Sequence, residues 1–209
     1  MTAGLLLVGA SGLAREVIAA GITGVVGILD DNVELHGTEV SGVPVLGGTA
    51  LAASHDEELL LCIGPSGSRR EVARRLSRIG VEDGRYATYV ARSARIGRSS
   101  EIATGSILLD GVVVTADARV GRCVVVMPNC TITHDDVLGD FVTLAAGVAL
   151  GGAVHVGKRA YVGMNASVHP GVTIGREATI GMGAVVLRDV PDGETWAGVP
   201  ARRLGEPND

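Results

Sequence analysis

The residues best suited to proton transfer are His134 and Asp135, in the run Thr131-Ile132-Thr133-His134-Asp135-Asp136-Val137-Leu138. A carboxylate beside an imidazole fixes the ring tautomer and stabilises the imidazolium that forms when the ring takes a proton, so the pair reads as a general base with its orienting acid. An exposed polar turn would use the same residue types. The chain has 5 histidines, and His36 and His55 stand in polar loop contexts where solvation accounts for them. His155 and His169 need a ruler before they can be placed.

The ruler is a six-residue beat. From Val90 to Val186 an aliphatic residue recurs at every sixth position without a break, through Ile96, Ile102, Leu108, Val114, Val120, Val126, Ile132, Leu138, Leu144, Leu150, Val156, Val162, Val168, Ile174 and Ile180. A helix repeats at about 3.6 residues and a strand at 2, so a sustained period of six signals a parallel β-helix of hexapeptides. The position after each aliphatic is often Gly or Ala, which suits a corner where a Cβ would crowd the backbone. The position two before is mostly small or β-branched, as the inside of a narrow coil requires. Asp136 breaks that column, and local rules tend to be broken at functional sites.

Three hexads make one triangular coil of 18 residues, so residues 18 apart should stack at about the 4.8 Å strand spacing. On this scale His134, His155 and His169 fall in three different columns, one to two coils apart, and within one subunit they cannot share a zinc ion at about 2 Å per ligand. A three-histidine site between subunits has little support from the spacing. Arg122, Asp140, Lys158 and Arg176 stack in one column. They read as a solvated ladder of charges or, at the Lys158–Arg176 end, as a holder for ligand phosphates.

Residues 1–85 lie ahead of the repeat and read differently. Leu5 to Val8 is an apolar run ending in Gly9-Ala10-Ser11-Gly12, and Leu13 to Ala20 has helical composition. Val25 to Leu29 reads as a second strand ending at Asp30-Asp31, and Leu59 to Ile63 as a third ending at Gly64-Pro65-Ser66-Gly67-Ser68. A charged amphipathic helix follows over Arg69 to Ile79, with Ser68 as its N-cap. Between the second and third strands a connector runs through Pro44 to Ala53. This is the opening of a nucleotide-binding α/β unit with a small parallel sheet, and its ligand belongs beyond the carboxyl ends of the strands. Gly9, Ser11 and Gly12 would hold phosphate oxygens at a helix start, Asp30 would reach a ribose hydroxyl or base edge, and Asp31, Gly64 and Ser66 would complete the rim. Glycines that merely end strands give the same pattern. Some 85 residues are too few for a full dinucleotide fold, which favours a nucleotide-sugar over NAD.

Composition narrows the classes further. The 209 residues are 46% hydrophobic but only 2% aromatic, with 31 glycines, which suits a stack of small corners better than a core of interlocking rings. The net charge of -5 supplies no basic field for nucleic acid or an acidic membrane. Cys62, Cys123 and Cys130 lack metal spacing and sit in apolar settings, as reduced core residues do. The start has no basic region ahead of its short apolar run, and no run reaches the roughly 18 residues of a membrane span, so a cytoplasmic protein is expected.

A small α/β unit opening Gly-Ala-Ser-Gly, a hexapeptide coil, His134-Asp135 midway along it, and the ending Ala197-Gly198-Val199-Pro200-Ala201-Arg202-Arg203 occur together. In this combination the chain resembles, over nearly its whole length, the bacterial sugar O-/N-acetyltransferases of the sialic-acid O-acetyltransferase type. Nucleotide-linked amino-sugar N-acetyltransferases are among them. The resemblance implies a Rossmann-like domain (1–85) followed by a left-handed parallel β-helix (86–209), a homotrimer, and acetyl-CoA as co-substrate between neighbouring β-helices, with no metal. It also implies His134 as base, Asp135 as its orienting acid and Gly152 N–H facing the thioester oxygen, with Lys158, Gly163, Gly181, Pro200 and Arg202 along the acetyl-CoA. The nucleotide-sugar then falls to Gly9, Ser11, Gly12, Asp30, Asp31, Gly64 and Ser66. Where many relatives carry His, this chain has Leu13 and Thr143; where they carry a small residue or Cys it has Asp136, and in place of an Asn found in some it has Met127.

The implied reaction is direct N-acetylation of the amine of a nucleotide-linked deoxyamino sugar, with no cysteine placed to carry the acyl group. Two other readings compete. An O-acetyltransferase would prefer a hydroxyl acceptor, and a catalytically silent scaffold or sensor would bind nucleotide-sugar but not acetyl-CoA.

Overall fold

The computed structural model describes residues 4–205. The N-terminal sheet is built from β1 (Leu5–Val8), β2 (Val25–Leu29), β3 (Glu39–Val40), β4 (Val43–Gly47) and β5 (Glu58–Leu61), in the order β3-β4-β2-β1-β5. Four of these strands are parallel, and β3 pairs antiparallel with β4 as a hairpin. Two helices pack on it, α1 (Gly12–Ala19) and α2 (Ser66–Arg78). β1 is buried throughout, as expected of a parallel strand covered on both faces.

The expected connector through Pro44 to Ala53 is therefore corrected: its first part is a strand and its second a 3-10 helix, Thr49–Ser54. The hairpin closes on Ser41-Gly42, both at positive φ (51° and 78°), which is the two-residue turn that matches strand twist. Ser-Gly between two β-branched valines was the signal for it. The expected start of α2 is also corrected. Pro65 is the N-cap and no side chain caps the end, so Ser68 lies inside the first turn.

The coil follows the six-residue beat along its length. Each two-residue strand from Tyr89–Val90 to Val185–Val186 ends on a residue of the aliphatic column, and partners stand 18 apart, as in Val113↔Thr131 and Val137↔His155. These strands form three parallel sheets of six, five and six, and a C-terminal hairpin, Thr195–Gly198 with Ala201–Arg203, extends the last to eight strands. From Leu108 onward the aliphatic column is buried.

Two columns shape the corners. Glycines after the aliphatics face the backbone of the next coil: a Cβ on Gly139 would lie 2.7 Å from Lys158 N, and one on Gly157 2.5 Å from Arg176 N. The left-handed residue is two positions later. Every sixth residue from Gly105 to Gly183 has positive φ, Asp135 (63°) and Phe141 (62°) among them.

The two parts share their cores. Ile107, Leu109 and Val125 of the coil pack with Leu5, Leu7 and Leu60 of the sheet, and Cys123 packs with Leu59, Leu61 and Tyr86. The chain enters the coil by bridging Tyr86 to Leu59 of β5.

Candidate active site

His134 and Asp135 occupy a coil corner, and His134 Nδ1 lies 2.8 Å from Asp135 Oδ2. Both are exposed, at 66% and 61% of their side chains, so the pair is open to a reactant. The left-handed backbone at Asp135, ordinary for this column, turns its carboxylate back onto the ring. One coil on, Gly152 forms the floor. A Cβ there would stand 2.4 Å from both Cε1 and Nε2 of the imidazole, so the ring has its place only because residue 152 is glycine. Among the described residues Gly152 N–H has no hydrogen-bond partner, whereas its neighbours Gly151 and Ala153 donate to Val168 and His134 carbonyls.

Asp136 is fully buried beneath the pair. One carboxylate oxygen accepts Thr133 N–H at 2.6 Å and the other Val154 N–H at 2.8 Å. Burial pushes its carboxyl up to about 6 despite these bonds and the nearby histidines. The break in the column thus marks a buried staple under the His134–Asp135 corner.

A second feature lies on a different face. A cleft of about 680 Å³ runs between the β5–α2 loop and the coil, lined by Glu16, Gly64 to Gly67, Met127, Thr143, Ala146, Arg159, Tyr161 and Met164. Of the expected substrate residues, Gly64 and Ser66 line it. Gly9, Ser11, Gly12, Asp30 and Asp31 do not. Gly9 is glycine because its φ is 102° and a Cβ would meet Ile63 and Cys62. Ser11 caps α1 and its hydroxyl donates to Cys62 O.

The Asp30 carboxylate, expected to reach a ribose, accepts Ala10 N–H at 2.7 Å and Asn32 N–H at 2.8 Å and so braces the glycine turn. Asp31 is likewise engaged, by Thr49 and by Arg75 at 2.7 Å. With Ala10 and Leu13 N–H groups both used internally, the glycine turn has fewer donors for phosphate than its sequence suggests.

The residues assigned to acetyl-CoA divide similarly. Gly163 and Gly181 are required by stacking, since a Cβ would meet Met182 N and Ala197 Cβ at 2.7 Å. The charged column is a ladder: Lys158 and Arg122 flank Asp140 at 3.4 and 3.7 Å, and Arg176 pairs with Asp192. Burial opposes ionisation of Asp140, but Arg122 N–H and Lys158 hold its carboxyl below the usual range. Pro200, after a cis peptide bond, and Arg202 are exposed on the C-terminal hairpin. The three cysteines are buried free thiols, with Cys123 and Cys130 pushed up by burial to about 11, unsuited to carrying an acyl group. His155 and His169 are exposed and each faces a main-chain carbonyl. Among the described residues no group of three or more His, Cys, Asp or Glu could hold a metal ion.

Residues 153–188 match the model of the bacterial transferase hexapeptide family. Perosamine N-acetyltransferase from Caulobacter crescentus, solved with CoA and GDP-perosamine, is 32% identical over 97% of each chain, with a TM-score of 0.88. The chain belongs to the hexapeptide-repeat acyltransferases of amino-sugar N-acetylation. The acetyltransferase domain of PglB from Neisseria gonorrhoeae, solved with acetyl coenzyme A, is 29% identical over 98% of this chain and 100% of its own, with a TM-score of 0.88. WeeI from Acinetobacter baumannii is 29% identical over 96% and 99%, with a TM-score of 0.85. This acetyltransferase therefore pairs a small α/β domain with a left-handed parallel β-helix.

Proposed function

We propose that the enzyme transfers the acetyl group of acetyl-CoA to the 4-amino group of a nucleotide-linked deoxyamino sugar, in one step. The observation that carries the mechanism is the exposed His134–Asp135 pair, 2.8 Å apart and seated on Gly152. His134 removes a proton from the nitrogen as it attacks the thioester carbonyl, Asp135 holds the ring and stabilises the imidazolium, and the free Gly152 N–H supports the developing oxyanion. The thiolate of CoA leaves and takes up the proton. Direct transfer also agrees with the absence of a reactive thiol among the buried cysteines.

In this reading residues 1–85 contribute the nucleotide-sugar side and residues 86–209 the acetyl-CoA side. His134 lies at one corner of the coil, whereas the cleft beside Gly64 and Ser66 lies on the face that carries Thr143 and Tyr161. A homotrimer, with His134 of one subunit meeting the cleft of another, completes the site. Among the described residues no helix is long and apolar enough to cross a membrane, and a cytoplasmic location, where both substrates are made, fits this reading.

The test is thiol release from acetyl-CoA with GDP-, UDP- and dTDP-linked 4-amino sugars. Turnover of one of them and a loss of about 10²–10⁴-fold in His134→Ala are expected. No release with any sugar, or an unaltered rate in His134→Ala, refutes the proposal, and faster turnover of a hydroxyl acceptor replaces N- by O-acetylation.

A further inference from the structure

Arg69 is fully buried, yet among the described residues no carboxylate pairs with it. Its guanidinium is surrounded by acceptors instead. Nε donates to Cys123 O at 2.8 Å, one terminal nitrogen to Ile63 O and Gly64 O at 2.6 and 2.7 Å, and the other to Phe141 O, Val142 O and Thr143 Oγ1 at 3.0–3.1 Å. All five N–H groups are thereby engaged. Burial pushes the guanidinium down to about 10, so it stays charged at neutral pH. A buried cation neutralised only by carbonyl dipoles is a costly way to fill space, and an apolar side chain would do that better.

What it achieves is local. Its partners belong to two segments: the β5–α2 loop, and the coil at residues 123 and 141–143. Thr143 closes the same joint, because its hydroxyl donates to Gly64 O at 3.0 Å and meets Ser66 Oγ at 2.9 Å. In a trans peptide the carbonyl and the N–H point opposite ways, so turning Ile63 O inward to Arg69 turns Gly64 N–H outward. Pro65 follows without an N–H, and α2 then begins with no side chain over its first donors. Gly64, Pro65, Ser66 and Gly67 are the residues that form this wall of the cleft.

We infer that Arg69 is a positioning residue for the acceptor: from behind the cleft wall, and bonded to Thr143 of the cleft lining, it fixes the Gly64–Ser66 loop in the shape that receives the nucleotide-sugar. Arg69 itself does not line the cleft, so any effect on acceptor binding must act through the loop. The inference rests on the acetyl-transfer reading above.

The experiment is steady-state kinetics of wild type, Arg69→Lys, Thr143→Val and Thr143→Ser, each substrate varied in turn. The acceptor is whichever GDP-, UDP- or dTDP-linked 4-amino sugar the wild type acetylates, and the thermal midpoint is recorded for each protein. Lysine keeps the charge but cannot reach both segments. The expected result is a rise of about tenfold or more in KM for the sugar in Arg69→Lys and Thr143→Val, with KM for acetyl-CoA within about twofold. Thr143→Ser, which restores the hydroxyl, should return the sugar KM towards wild type. Unchanged sugar KM values overturn the inference, as does a parallel rise in both KM values with a lowered midpoint, which marks general loosening. Should Arg69→Lys fail to fold, Arg69→Gln, which also lies behind the wall and keeps part of the donor set, decides by the same criterion. Absence of wild-type turnover with every sugar instead refutes the functional reading.

Discussion

At the scale of single residues, the proposed base depends on what lies under it. His134 is largely exposed, with Asp135 at its Nδ1 and Gly152 beneath the ring. Alanine is sterically allowed by the backbone there, but its Cβ would fall 2.4 Å from two ring atoms. An exposed imidazole moves more easily than a stacked coil, so the ring, and not the fold, should give way. Gly152→Ala is therefore expected to lower kcat by about 10²-fold, as angstrom-scale misplacement of a catalytic group does, with a thermal midpoint within a few degrees of wild type. Full activity in a folded Gly152→Ala enzyme would show that the seat of the ring does not matter. The pairing of His134 with Asp135 was legible from their adjacency alone. The reason for Gly152 was not, because it comes from an 18-residue neighbour whose side chain only the coil brings near.

At the scale of the coil, one inner slot explains both the regularity and its exception. Polar residues in that slot accept the N–H 18 residues on: Ser100 from Ala118, Ser106 from Val124 and Asp136 from Val154. Ser100, Ser106 and Cys130 also donate to the carbonyl 15 residues on. An ionised Asp136 cannot donate, and its second oxygen turns back to Thr133. Because burial raises this carboxyl to about 6, the folded state holds the proton more tightly than the unfolded chain does. Between about pH 4 and 6 the folded state then binds more protons, so this group's contribution falls as pH rises and recovers as pH falls. Relative to Asp136→Ser, wild type should gain at most about 3 kcal/mol on going from pH 7.5 to 4.5 in urea unfolding. Parallel pH dependence of the two proteins would exclude it.

The six-residue beat disclosed the strands, their register and the odd slot, because each aliphatic must point inward once per side. It could not disclose the hairpin of β3 and β4, whose hydrophobic runs are too short to show a period. Nor could it disclose Arg69, whose place on a charged helix looks solvent-facing until the coil is packed against it.

At the scale of the molecule, the proposed function divides the chemistry between a corner and a different face of one coil, and this division makes a prediction that no single chain can satisfy. Gly67 lines the cleft, and a Cβ there meets nothing within 4 Å, so Gly67→Trp can fill the cleft without disturbing the core. His134→Ala removes the proposed base and leaves the cleft intact. Each variant alone should be nearly inactive. In a cyclic trimer whose sites each join one subunit's His134 to the next subunit's cleft, every mixed ring contains one site with both parts unaltered. Co-expression in equal amounts should therefore restore about a quarter of wild-type activity, given random assembly. Mixing the purified variants without subunit exchange should restore none. If each chain carried a whole site, co-expression would give only the sum of the two defective enzymes, and the measured rate separates the two arrangements directly.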